Sequence, residues 1–234
     1  MSRVYLNLKF ATKRNYVDFN LNHKISSFIY SVISSDYKEL HEQGKNKFTF
    51  SNIMYESFKV LKNVIQVNSD RAALIISSHD KKFIEDFLKN LDKNKVYVID
   101  NLVFKISDIK VDSTELKNDL VLMKTITPVV IDKKDEKGKR VYLSPNDSEF
   151  KDFFLKNLIK KTETNINLGD IIFEINQKSV KRKSIKLKEN QTVKGHEFEF
   201  ILKCSDLNLL NKAFYSGFGS KNSAGFGMVQ VVKQ

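Results

Sequence analysis

The sequence predicts an α+β fold made of two tandem β-α-β-β-α-β units. Three observations support it: stretches of alternating apolar and polar residues typical of strands, segments between them with apolar residues at helical spacing, and the same element order in both halves. The chain has 234 residues, which allows two domains of about 100 residues each. Only the element order indicates the repeat, because the two halves share no repeated sequence.

The first unit begins with a strand and a helix. Residues 3–10 (RVYLNLKF) alternate between apolar and polar side chains and predict a strand. Residues 22–35 carry apolar side chains at helical spacing, which predicts a helix with one apolar face. A second short helical turn is expected from Asp36 to His41, ended by Gly44.

The remaining elements of the first unit follow the same rules. They are strands within 47–67 and 71–78, an amphipathic helix at 80–91 and strands within 95–111. The polar stretch at 112–119 is the expected seam, which predicts domains at 1–114 and 115–234.

The second unit repeats this order more loosely. Its predicted elements are a strand at 120–131, a turn leading into a strand at 140–144, a helix at 145–163, strands at 171–180 and 196–204, a helix at 205–217 and a last strand at 228–233. Pro145 and Asn146 are expected to open the first of these helices, and Ser205 or Asp206 to cap the second.

The composition is that of a basic globular protein. The formal net charge is +12, from 40 Lys and Arg against 28 Asp and Glu, and the excess is spread over both halves. The electrostatic field of such a positively charged protein favours polyanionic partners, and nucleic acid is the first candidate. The alternative is that a proteome rich in Lys and Asn makes ordinary proteins basic. No signal peptide or membrane-length apolar run is present, so a soluble, cytoplasmic protein without membrane contact is expected.

Metal and disulfide chemistry find little support in the sequence. The single cysteine, Cys204, excludes a disulfide framework and a cysteine-based zinc cluster. The four histidines are scattered without a ligand spacing, and no acidic cluster offers the oxygen ligands that magnesium prefers. An enzyme of this sequence is therefore expected to work without a metal or another cofactor.

A basic run at 178–188 is the first candidate binding element, and we name it the basic ribbon. Its six basic residues are Lys178, Lys181, Arg182, Lys183, Lys186 and Lys188, with no acidic residue among them. Partly apolar residues lie between them, which favours a strand or hairpin with one face packed and the other bound to phosphates. An exposed lysine-rich loop is the alternative.

A glycine-rich segment at 217–227 is the second candidate. It holds half of the chain's eight glycines: Gly217, Gly219, Gly225 and Gly227. Its spacing and its position between a helix and the last strand fit neither a dinucleotide fingerprint nor a P-loop. The segment could offer backbone N–H groups to phosphates, with Lys221, Asn222 and Ser223 adding side-chain donors. The alternative is a loop packed between the two domains, where glycine is needed for fit.

His41 is the candidate for proton transfer. Histidine exchanges a proton near neutral pH, which suits general acid–base catalysis, although a lone histidine beside a helix end is more often structural. Tyr30 precedes it by eleven residues, and Lys47 follows a glycine turn that could return it toward both.

Two motifs resemble a known family. GFGSKNSAGFGMV at 217–229 closely resembles the C-terminal glycine-rich signature of the CRISPR-associated repeat-processing endoribonucleases, in the repeat-associated (RAMP) superfamily. The segment at 22–53 resembles the same family's N-terminal helix and loop. The resemblance implies two tandem ferredoxin-like (RRM-like) domains with a C-terminal glycine-rich loop.

The resemblance also implies an activity. It is metal-independent cleavage of precursor CRISPR RNA within the repeat, by attack of a 2′-hydroxyl that leaves a 2′,3′-cyclic phosphate and a 5′-hydroxyl. Carried over by motif position, the catalytic group is Tyr30, His41 and Lys47. The glycine-rich segment and the basic ribbon would bind repeat RNA. The alternative is a non-catalytic subunit that holds processed guide RNA within a CRISPR effector complex. The expected oligomeric state is a monomer or a homodimer.

Overall fold

Two main antiparallel sheets, each with its own helices and apolar core, form most of the described part of the chain. The structure is a computed structural model, and it describes residues 1–33, 48–188 and 191–233. The turn expected from Asp36 to His41 lies outside the described residues.

The first sheet and its helices come from the first half of the chain. The elements are strands β1 (Ser2–Phe10), β2 (Asn15–Val17), β3 (Phe48–Phe50), β4 (Met54–Tyr55), β5 (Phe58–Val60), β6 (Ile65–Val67), β7 (Arg71–Ser78), β8 (Tyr97–Ile99) and β9 (Leu102–Asp112), and helices α1 (Asn22–Val32) and α2 (Lys81–Asn90). The sheet order is β3-β7-β1-β9-β8, with β4 also paired to β7, while β2, β6 and β5 form a small separate sheet.

The second sheet follows after the polar stretch that separates β9 from the next strand. Its elements are strands β10 (Leu120–Thr125), β11 (Asp132–Lys134), β12 (Arg140–Tyr142), β13 (Ile172–Lys188), β14 (Gln191–Lys203) and β15 (Val229–Lys233), and helices α3 (Phe150–Thr162) and α4 (Leu207–Ser216). The order is β13-β14-β10-β15, and β11 and β12 form a separate hairpin. The four main strands of the first sheet are β1, β3, β7 and β9, and those of the second are β10, β13, β14 and β15. Numbered 1 to 4 along the chain, they lie in the order 2-3-1-4 in both sheets.

The predicted periodicities correspond to the buried faces. Along β1, Val4, Leu6 and Leu8 are almost fully buried while Asn7 and Lys9 are exposed, as expected for side chains that alternate across a sheet. The apolar residues of α1 face the same core. Helices α2 and α4 each begin after an aspartate whose carboxylate accepts a main-chain hydrogen bond: Asp80 from Phe83 at 3.3 Å, and Asp206 from Leu209 at 2.9 Å.

The prediction of a helix from Pro145 was wrong at its start. Helix α3 begins at Phe150, five residues later. A turn occupies the preceding positions: the main-chain N–H of Asp147 donates to the carbonyl of Ser144 at 2.9 Å, and the Asp147 carboxylate accepts from the Ser144 N–H at 2.7 Å. A short aspartate side chain competes with helical hydrogen bonding in this way, so the turn is favoured over a longer helix.

Arg3 connects the two halves. Its guanidinium comes from β1, donates to the carbonyls of Phe214 at 3.2 Å and Val229 at 2.6 Å, and lies 3.8 Å from the centre of the Phe214 ring. Arg3 is only 5% exposed, so this contact is shielded from water. The first strand is therefore joined to the last helix and the last strand. No helix within residues 1–33, 48–188 and 191–233 is both long and apolar enough to cross a bilayer.

Candidate active site

The glycine-rich segment is a buried loop between α4 and β15. Its neck is closed by the N–H of Phe218, which donates to the carbonyl of Gly227 at 2.8 Å. Asn222 lies inside the loop, where its amide nitrogen donates to the carbonyls of Phe218 at 3.1 Å and Phe226 at 2.9 Å. Asn222 is 8% exposed, so its side chain holds the loop together from within.

The glycines are required by the loop's own packing. All four have positive φ, from 69° to 86°. A Cβ added to Gly227 would lie 1.9 Å from the Phe218 carbonyl oxygen, and one added to Gly219 would lie 2.4 Å from the Val130 carbonyl oxygen. At these two positions the close approach is therefore made by the protein's own main chain. This observation favours the packed-loop interpretation for the glycines.

Lys161 is the central cation of this loop. It lies at the end of α3, and its ammonium donates to the carbonyls of Gly217 (2.8 Å) and Gly219 and to the side-chain oxygen of Asn222. Burial lowers the pKa of Lys161 to about 7, while the three oxygen acceptors favour its charged form. An ammonium has three N–H donors, and here each has an acceptor within the loop. Lys161 therefore fixes the loop's shape.

Helix α1 presents a polar stripe to the same loop. Asn22 donates to the carbonyl of Ala224 at 2.9 Å, and Ser26 donates to the carbonyl of Ser223 at 3.0 Å. Tyr30 lies one turn further on, with Ser223 near its hydroxyl. Residues four apart lie on the same face of a helix, so the stripe follows the loop. The loop is thus held between α1 and the second sheet.

Tyr30 is the predicted catalytic residue that the structure describes. Its ring lies 5.6 Å from that of Phe48 in an edge-on arrangement. Burial raises the pKa of Tyr30 to about 12, and the nearby Ser223 side chain opposes this only in part. The phenol is therefore protonated at neutral pH, as a hydrogen-bond donor must be. His41 and Lys47 lie outside the described residues, so their placement beside Tyr30 stays a prediction.

The basic ribbon is a paired strand, which agrees with the strand or hairpin prediction rather than with the lysine-rich loop. It forms the outer part of β13 and pairs with β14, where Arg182 is opposite His196 and Lys186 is opposite Thr192. The side chains of Lys178, Lys181, Arg182, Lys183 and Lys186 are exposed. Lys183 forms a salt bridge with Glu197 at 3.3 Å. The structure does not describe the side chain of Lys188.

Three parts of this site escaped the sequence analysis. Lys161 is one of two adjacent lysines at a helix end and has the pattern of a solvent-exposed residue. Asn22 and Ser26 lie beside the apolar stripe of α1, and Asn22 is itself buried. His79 follows β7, and its Nδ1 lies 2.6 Å from the hydroxyl of Ser216, next to the glycine-rich loop. No local sequence signal distinguishes these residues, because their partners are distant in the chain.

Comparison with known proteins decides the family. The family model described as "CRISPR associated protein Cas6, C-terminal" matches residues 109–231, more than half of the chain. The protein named "CRISPR-associated endoribonuclease Cas6 1" from Methanocaldococcus jannaschii is 31% identical over 226 residues, covering 93% of this chain and 88% of the relative. The chain belongs to the Cas6 family.

Solved structures agree with membership of the Cas6 family. A structure titled "CRISPR associated protein Cas6" superposes with a TM-score of 0.82 at 28% identity, covering 100% of both chains. Another, titled "An RAMP protein binding different RNA substrates", has a TM-score of 0.88 at 23% identity and also covers 100% of both chains. The similarity to this RAMP protein establishes the fold, which is an α+β arrangement of antiparallel sheets.

Within residues 1–33, 48–188 and 191–233, no three His, Cys, Asp or Glu side chains come together as a candidate metal site.

Proposed function

We propose that the chain is an endoribonuclease that cleaves precursor CRISPR RNA within the repeat to release guide RNAs. The hydrogen bonds from Asn22 and Ser26 of α1 to the glycine-rich loop carry this proposal, because they join the two motifs that resemble the repeat-processing endoribonucleases. The Methanocaldococcus relative, which matches almost the whole chain, bears the name of such an enzyme.

We further propose that the fold is a tandem of ferredoxin-like domains, with boundaries at 1–114 and 115–234. The shared strand order 2-3-1-4 supports it, since each sheet is built from a β-α-β-β-α-β run. The two separate apolar cores support it as well, and Leu116, just after the proposed boundary, packs in the second core.

The proposed reaction is an internal transesterification. The 2′-hydroxyl loses its proton to a base and its oxygen bonds to the adjacent phosphorus. The bond from phosphorus to the 5′-oxygen breaks, and that oxygen takes up a proton. The products are a 2′,3′-cyclic phosphate and a 5′-hydroxyl. A base, an acid and a cation near the phosphate are therefore the groups that catalysis needs.

We assign these roles to His41, Tyr30 and Lys47. His41 is the chief proton carrier, because imidazole exchanges protons near neutral pH. The raised pKa of Tyr30, about 12, disfavours a role as base and favours donation of a hydrogen bond or proton to a phosphate or leaving oxygen. Lys47 stabilises the charge that develops on the phosphate. In this mechanism the lysine takes the part that a metal plays in other nucleases, so the reaction is metal-independent.

One incubation tests the function. The purified protein is mixed with the repeat RNA of its own genome in excess EDTA, and the products are resolved at nucleotide resolution. We expect a cut at a single position, with a cyclic phosphate on the upstream fragment. A strict need for magnesium would contradict the metal-independent mechanism. Tight binding of uncut RNA would instead identify a guide-holding subunit of an effector complex.

The basic ribbon is proposed to hold repeat RNA by its phosphates. Reversing three charges at once, Lys181→Glu, Arg182→Glu and Lys183→Glu, should weaken RNA binding and flatten its salt dependence. The slope of log K against log salt should fall by about 2, because each phosphate that the protein no longer neutralises lowers it by roughly 0.7. The matched control reverses three exposed lysines on and after α2, namely Lys82, Lys89 and Lys93. Equal salt slopes in both triple variants would remove the ribbon from the RNA interface.

A further inference from the structure

A basic cavity lies beside the ribbon, between the β11–β12 hairpin and the β13–β14 strands. Its volume is 370 Å³, within the range of about 300–1,000 Å³ typical of small-ligand sites. We name it the hairpin pocket. Its polar lining consists of Arg140, Tyr142, Ser144, Arg182, Lys194 and His196.

The hairpin pocket carries an excess of positive charge. Arg140, Arg182 and Lys194 contribute three cations. Arg140 pairs with Asp132 through Nε at 2.9 Å, and a guanidinium carries four further N–H donors on its two terminal nitrogens. Among the described residues, Arg182 and Lys194 have no ion-pair partner, and both are exposed. A bound anion would therefore meet three cations, with the carboxylates of Asp132 and Asp147 nearby.

His196 adds a buried polar group to the lining of the hairpin pocket. It is 6% exposed, and its Nδ1 has no hydrogen-bond partner within residues 1–33, 48–188 and 191–233. Its main chain is fixed by reciprocal hydrogen bonds with Val129, at 2.8 Å and 2.9 Å. Burial and the nearby Arg182 lower the pKa of His196, so the ring is neutral. Leaving a buried ring nitrogen unpaired is unfavourable, and a rotation of the ring that turns Nδ1 toward the cavity and pairs it with a ligand removes that cost.

The hairpin pocket adjoins both candidate RNA-binding elements. Arg182 belongs to the basic ribbon as well as to the pocket. Arg140 of the pocket pairs with Asp132, which also accepts from the hydroxyl of Ser220 at 2.6 Å, at the edge of the glycine-rich loop. A strand of RNA that follows the ribbon toward that loop would pass over the pocket opening.

We propose that the hairpin pocket binds one nucleotide of the RNA substrate, away from the scissile bond. Its phosphate lies against Arg140, Arg182 and Lys194, and its base is hydrogen-bonded by His196 beside the ring of Tyr142. Phosphate contacts position an RNA, while contacts to the edges of splayed bases select its sequence. The pocket is thus a specificity site. This inference rests on the proposed function, because it takes repeat RNA as the ligand.

The test combines two variants with a scan of the RNA. Full-length protein is titrated with repeat RNAs that carry one abasic nucleotide at each position in turn. For the wild type we expect one position outside the cleavage site at which base removal weakens binding about tenfold. In His196→Phe, which keeps a ring in the buried space, the same base removal should have no further effect. Such non-additivity identifies a direct contact.

Lys194→Gln tests the phosphate contact independently, and it keeps the proposal falsifiable if His196→Phe fails to fold, because Lys194 is exposed. Its salt slope should fall by about 0.7. Lys203→Gln, an exposed lysine on the same strand, is the matched control and should match the wild type. A wild-type protein that cuts the repeat at one position, while both variants bind the repeat as the wild type does, would exclude the pocket alone, so failure of this inference is distinguishable from failure of the proposed activity.

Two outcomes would overturn the proposal. One is an affinity for repeat RNA, and a salt slope, that neither variant changes. The other is binding of free nucleoside 5′-monophosphate that both variants abolish while their affinity for RNA stays intact, which would assign the pocket to a free nucleotide.

Discussion

The His41→Ala variant is expected to cleave repeat RNA about 10²–10⁴-fold more slowly than the wild type in single-turnover assays, while binding it nearly unchanged. The reason is that alanine removes the group proposed to carry the proton and leaves the phosphate contacts in place. Single-turnover conditions are chosen because slow product release cannot then mask the chemical step.

Two further variants accompany this one: His23→Ala is a control, and Tyr30→Phe tests a second residue of the proposed catalytic group. His23→Ala removes an exposed histidine from α1 and should cleave at the wild-type rate. Tyr30→Phe keeps the ring against Phe48 and removes only the hydroxyl that contacts Ser223. Tyr30→Phe should also slow cleavage without weakening RNA binding. A His41→Ala protein with wild-type rates would exclude His41 from the mechanism.

The Gly227→Ala variant is expected to lose about 2–4 kcal/mol of unfolding free energy, or to fail to fold. Two effects add at this position. The glycine has φ of 75°, which an alanine adopts only with strain. The new methyl group would also lie 1.9 Å from the Phe218 carbonyl and 2.6 Å from the amide nitrogen of Asn222. The neck of the glycine-rich loop must open to accept it.

Urea unfolding of the purified variants measures this loss. Gly169→Ala is the matched control, since a Cβ there meets nothing within 4 Å, and its stability should stay within about 0.5 kcal/mol of the wild type. The loop holds Ser223 against Tyr30, so any folded Gly227→Ala protein should also cleave more slowly. An unfolding midpoint equal to that of the wild type would show that the loop tolerates a side chain at this position.

Local patterns in the sequence were enough to predict most of the secondary structure. The alternation at 3–10 is a strand because neighbouring side chains in a strand point to opposite faces, and from Leu6 to Phe10 only one face of β1 is buried. Asp206 caps α4 because a short carboxylate reaches the N–H three residues on. The strongly basic character, the ribbon and the two family motifs are likewise properties of the chain order itself.

Only the tertiary structure decided what the glycine-rich loop touches. Lys161 and the loop are separated by more than fifty residues, and Ser26 and Ser223 by almost two hundred. No periodicity or spacing connects groups so far apart; their contact arises when two sheets pack and bury the loop between them. The hairpin pocket arises in the same way, from a hairpin and two strands that meet only after folding. The sequence by itself determined the elements and the chemical character of the chain, because these depend on near neighbours. The shape of the site depends on long-range packing, and so only the fold supplied it.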